Sequence, residues 1–122
     1  MVYVSETASL TMLETLVHLN APQIMDSFTL LRIDVPDEQI QDTDMQQIPE
    51  NWSDEDVPPE LAAYGDAWCF TNISIALRVP SALSPVEYNF LLNPQHPDFY
   101  MIAQKSEAIP FRFDRRLRPD RR

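Results

Sequence analysis

One glycine, Gly65, set against eleven prolines in 122 residues restricts what this chain can build more than any other feature. Loops that cradle phosphates, and the strained strand-to-helix turn that presents a hydrolase nucleophile, need several glycines at fixed spacing. Walker, Rossmann, kinase and hydrolase-elbow sites are therefore excluded. A nucleophilic triad or a catalytic zinc needs convergent His, Cys or carboxylate groups. His18, His96 and Cys69 are the only residues of the first two kinds and lie in unrelated segments, so no metal is expected. A lone cysteine forms no internal disulfide, which agrees with a cytoplasmic protein. With 44% hydrophobic positions the chain can hide about two thirds of its unfolded surface in one core. The first residues, MVYVSETASL, carry no Lys or Arg and no long apolar run. The run of about 18 apolar residues that a spanning helix needs is also missing, so neither secretion nor a membrane location is expected.

The net charge is -10. Such a field repels nucleic acid, which is bound by clustered Lys and Arg, and attracts basic partners. Eleven acidic residues and no basic one lie between Asp34 and Asp66, whereas six of the nine basic residues fall between Arg112 and Arg122. The acidic stretch reads as a solvated connection broken by Pro36, Pro49, Pro58 and Pro59, with recognition of a basic partner as the alternative. The Arg-rich end reads as a frayed terminus.

Val2 to Val4 has strand character. Ser5 then looks like the N-cap of a helix reaching about Leu19, with Glu6 in its first turn. At 100° per residue Ala8, Leu10, Met12, Leu13, Leu16, Val17 and Leu19 sweep an apolar arc of about 200°, so this helix is expected to be deeply packed. Glu14 falls at the edge of the arc, near Thr11 and His18. It is either a boundary residue or the lip of a cleft.

Alternation predicts a strand over Phe28 to Val35, ended by Pro36. Pro59 opens a helix to about Phe70 that buries Leu61, Tyr64 and Trp68. Gly65 costs that helix about 1 kcal/mol relative to Ala, a cost usually accepted for close packing. Cys69 reads as a small buried hydrophobe rather than a reactive thiol. A strand from Ser74 to Val79 stops at Pro80, so Ser81 lies just past a strand end. Pro94 and Pro97 are expected to keep EYNFLLNPQHPDF irregular while it presents Asn89, Asn93 and His96. Further strands are expected near Tyr100 to Gln104 and Ile109 to Phe113. Several strands with two convincing helices indicate an α+β fold with a mixed sheet.

Five segments taken in order, VYVSETASLTMLETLVHL, YGDAWCF, LRVPSAL, EYNFLLNPQHPDF and PFRFDRRL, resemble the RES domain, the toxin half of bacterial RES/Xre toxin-antitoxin pairs. The resemblance covers nearly the whole chain and assigns 1–117 to the domain, with 118–122 left as a basic tail. It implies an α+β fold related to ADP-ribosyltransferase toxins. It also implies a reaction that consumes NAD+ by breaking the nicotinamide-ribose bond, through glycohydrolase, phosphorylase or ADP-ribosyl transfer chemistry. The implied partner is an Xre-type helix-turn-helix antitoxin that blocks access to the NAD+ site. Direct nucleic-acid binding is not implied.

The family is named for an Arg, a Glu and a Ser, and it carries a Tyr eleven residues before the Glu. Tyr3 and Glu14 stand at that spacing, and Ser81 in the VPSA segment matches the serine. The resemblance makes Glu14 and Ser81 catalytic and Tyr3 a cofactor-binding residue. A carboxylate can stabilise an oxocarbenium-like state or hold ribose hydroxyls. The Tyr3 ring can stack on nicotinamide, and a serine hydroxyl can orient the ribose or the amide. Family members begin with several tens of further residues, including the namesake Arg and a segment resembling GGRWN. The N-terminal part of the domain is thus expected to be missing, and NAD+ binding to be weakened with it. A shortened RES domain that binds an antitoxin without catalysis is the alternative expectation.

Overall fold

The computed structural model describes residues 1–17, 28–53 and 59–117. Its elements follow the order β1 (Val2–Ser5), α1 (Ala8–Val17), β2 (Leu30–Arg32), β3 (Ile40–Asp42), α2 (Pro59–Thr71), β4 (Ala76–Pro80), β5 (Tyr88–Leu92), α3 (Phe99–Ala103) and β6 (Glu107–Ile109). Four strands form a sheet in the order β1-β5-β4-β3, and β2 pairs with β6 in a separate ribbon. β3 runs parallel to β4, and the other pairings are antiparallel. The sheet is mixed and the fold is α+β.

Side chains alternate across the sheet. Leu77 and Leu91 face α2, where Trp68 closes a buried cluster with Tyr64, Cys69 and Val79 around it. Gly65 earns its place at this contact. A Cβ there would lie 3.3 Å from Leu91 Cδ1 and 3.6 Å from Met1 Cε. The indole of Trp68 donates to Ser74 Oγ at 2.8 Å, so its one N–H is not left bare in the core. On the opposite face Arg78 pairs with Asp42 at 2.7 Å and lies over the rings of Tyr88 and Phe90.

Several expectations are corrected. Ser5 ends β1 and donates to Asn89 Oδ1 at 2.7 Å. The helix cap is Thr7, whose Oγ1 accepts from Leu10 N at 3.1 Å. Glu6 lies before the helix and accepts from Tyr88 N. The α1 arc is only partly packed: Leu10 is buried, whereas Leu13 is 49% and Val17 60% exposed. His18 and Leu19 lie outside the described residues.

The strand expected over Phe28 to Val35 shrinks to β2, three residues. The acidic connection is more structured than expected, because Ile40–Asp42 completes the sheet beside β4 and Ile48 is buried. EYNFLLNPQHPDF is not irregular at its start. Tyr88–Leu92 is the interior strand β5, and the prolines end it rather than dissolve it. Phe99–Ala103 is a short helix, not a strand, and the last strand is Glu107–Ile109. Phe111 to Phe113 instead pack edge to face, with Phe113 buried against Phe28 and Phe111. Asn93 does more than cap its own turn. It is wholly buried, its Nδ2 donates to Cys69 O and Asn72 Oδ1, and its Oδ1 accepts from Gln95 N and Cys69 Sγ.

Candidate active site

The end of β4 and the middle of α1 meet at a serine and a glutamate. Pro80 closes the strand, and Ser81, 2% exposed, starts the turn into β5. The Ser81 hydroxyl accepts from Leu83 N at 3.1 Å and from Ser84 N at 3.0 Å. A hydroxyl has one proton to give and two lone pairs. Both lone pairs hold the turn, and the proton points to Glu14 Oε1 at 3.4 Å. That distance is long for an O–H to carboxylate bond, as is common for site hydrogen bonds before substrate tightens them. Glu14 itself is half-buried, two turns into α1.

Tyr3 stands apart from this pair. It lies on β1, an edge strand, opposite Leu91 in register, and its side chain is 72% exposed. It lines two cavities. The larger, about 630 Å³, lies between β1, the start of α1 and the 29–35 segment. The smaller, about 220 Å³, lies between the sheet and α2 and includes Trp52, Tyr64 and Pro80. Glu14 and Ser81 line neither, but each cavity reaches a neighbour of the pair. Thr11 in the larger is one turn before Glu14 on the same helix side, and Pro80 in the smaller precedes Ser81. The structure thus brings Glu14 and Ser81 together and leaves Tyr3 on the adjoining rim.

Reading the sequence alone missed Arg32. Among the described residues it is the one cation in the wall of the larger cavity. Its contact with Asp34, at 3.4 Å between exposed side chains, is the kind of surface pair worth little and easily exchanged. Alternation puts Arg32 and Asp34 on the strand face opposite Leu31, Ile33 and Val35, and only the fold, which sets 29–35 and β1 in the wall of one cavity, gives Arg32 a site to face. Among the described residues no group of three His, Cys, Asp or Glu side chains could hold a metal ion. No helix among them is long and apolar enough to cross a membrane.

Comparison with known proteins reaches the same segments. The RES domain model matches residues 1–114. A protein named Toxin Res from Yersinia enterocolitica is 36% identical over 117 residues, which are 96% of this chain and 77% of that protein. A second Toxin Res, from Photorhabdus laumondii, is 36% identical over 116 residues, covering 95% of this chain and 74% of its own length. A protein named Prs ADP-ribosylating toxin, from a Sphingobium species, is 34% identical over 100 residues, 80% of this chain and 62% of that one. A family match over nearly the whole chain and relatives of this identity leave one assignment: the chain belongs to the RES domain family.

Proposed function

We propose that this chain is the toxin of a toxin-antitoxin pair and that it consumes NAD+ by breaking the bond between nicotinamide and ribose. The observation that carries the reading is the Glu14 carboxylate, held by the buried Ser81 hydroxyl beside cavities that share the Tyr3 ring. When the C1′–N1 bond breaks, the electron pair leaves with neutral nicotinamide and positive charge develops on the ribose. A fixed carboxylate stabilises that charge. If water then attacks C1′, Glu14 can take its proton, and the products are ADP-ribose and nicotinamide. Phosphate or a protein nucleophile in place of water gives ADP-ribose 1″-phosphate or an ADP-ribosylated target.

Tyr3 supplies a face for the nicotinamide ring. Arg32 supplies positive charge toward the diphosphate from the wall of the larger cavity. Its volume of about 630 Å³ falls within the range of about 300–1,000 Å³ usual for small-molecule sites. Names given to relatives, Toxin Res and ADP-ribosylating toxin, support both the toxin role and the use of NAD+. The partner in this reading is an Xre-type antitoxin that covers the site. The exposed Leu13 and Val17 on α1 offer it apolar ground next to Glu14.

The test is turnover of NAD+ by the purified chain and by Glu14→Gln. The variant should keep its KM within about threefold and lose kcat by about a hundredfold or more, since it removes a group that acts on transition-state charge. Equal turnover by the two would remove Glu14 from the chemistry. Antitoxin binding without any release of nicotinamide would support the non-catalytic alternative.

A further inference from the structure

A second acidic residue, Glu87, joins the same two elements that carry Glu14 and Ser81. Its Oε2 accepts from the hydroxyl of Thr7 at 2.7 Å, and Thr7 is the residue that caps α1. Its Oε1 accepts from Ser84 Oγ at 3.3 Å, in the turn whose amides Ser81 holds. The backbone of Glu87 closes that turn as well, its N–H donating to Ser84 O and its carbonyl accepting from Ser81 N. One carboxylate therefore ties the start of α1 to the turn after β4. The Glu14–Ser81 hydrogen bond ties the same helix to the same turn, seven residues or about 10 Å further along.

We infer that Glu87 is a positioning residue, which sets the distance between Glu14 and Ser81 by clamping the α1 cap to the β4–β5 turn. The inference rests on the proposed role of Glu14. With the first joint intact, α1 can pivot little and the 3.4 Å separation can close when substrate binds. Without it, the start of α1 is held to β5 through Ser5 and Glu6, Ser5 donating to Asn89 Oδ1 and Glu6 exchanging a backbone and a side-chain bond with Tyr88, and no side chain of the cap itself reaches the β4–β5 turn. A shift of about 1 Å at a reacting group can cost about a hundredfold in rate.

The test compares Glu87→Ala, Glu87→Gln and Glu14→Gln with the unaltered chain. Glu87→Ala should lower kcat by about tenfold or more while KM changes by less than about threefold. Glu87→Gln keeps an acceptor oxygen for Thr7 and should recover most of the rate. In parallel, the 13C resonance of the Glu14 side-chain carboxyl should move in Glu87→Ala and return in Glu87→Gln. Loss of activity in Glu14→Gln with full activity in Glu87→Ala would overturn the positioning role alone. No loss in Glu14→Gln would instead overturn the reading of Glu14. An unmoved Glu14 resonance in Glu87→Ala overturns the clamp whatever the turnover, because the resonance reports the joint without reference to catalysis.

Discussion

Ser81 uses every hydrogen-bonding position it has inside the protein, two to hold a turn and one toward Glu14. Replacing it with Ala leaves the Leu83 and Ser84 amides without that acceptor. Because the site is buried, Ser81→Ala should destabilise the fold by about 1–3 kcal/mol. Urea unfolding measures this, and a loss below about 0.5 kcal/mol would mean that the turn finds other partners. Arg32 is a contrasting case, exposed and weakly paired. Arg32→Ala should leave stability within about 0.5 kcal/mol of the unaltered chain and raise KM for NAD+ several-fold. An unchanged KM would take Arg32 out of diphosphate binding. Ser81 was reached through the resemblance, as the serine of the VPSA segment, and Pro80 by itself only put it just past a strand end. Arg32 and Glu87 were hidden, since the cavity wall that Arg32 shares with β1 and the bond from Thr7 to Glu87 both join segments distant in sequence.

At the scale of elements, local pattern was legible wherever a segment carries its own signal. The Pro59 start and the Trp68 face of α2 are of this kind, as is the strand that Pro80 ends. Short apolar runs without such a signal were misread. FYMIA is five residues long and cannot show a helical period, so its aromatic and branched residues looked like a strand. IQD in β3 offers a single strand former, Ile40, which is too little to show an alternation, and its place comes from pairing with β4. In α1 the apolar arc is real but its burial is uneven, and truncation should follow the observed packing. Leu10→Ala, at a site 1% exposed, should cost about 2–5 kcal/mol. Leu13→Ala should cost less than about 1 kcal/mol. Similar losses at the two positions in denaturant unfolding would show that α1 is packed on both sides in solution.

For the whole molecule, the sheet has two unlike edges. β1 with Tyr3 forms one edge of the sheet, and β3, inside the acidic stretch, forms the other. Asp37 and Glu38 next to β3 are exposed, so they can steer a basic antitoxin without touching the Glu14–Ser81 pair. Asp37→Asn with Glu38→Gln should slow association and weaken its dependence on salt, and leave NAD+ turnover unchanged. Stopped-flow association at two ionic strengths checks this, and an unaltered rate would assign the steering to other charges.

The most direct measurement follows NAD+ and free nicotinamide in one sample of the purified chain over time, beside Glu14→Gln. The account predicts one nicotinamide released for each NAD+ lost, and a rate lower by about a hundredfold or more in the variant. Loss of NAD+ without nicotinamide, or equal release by both proteins, would contradict it.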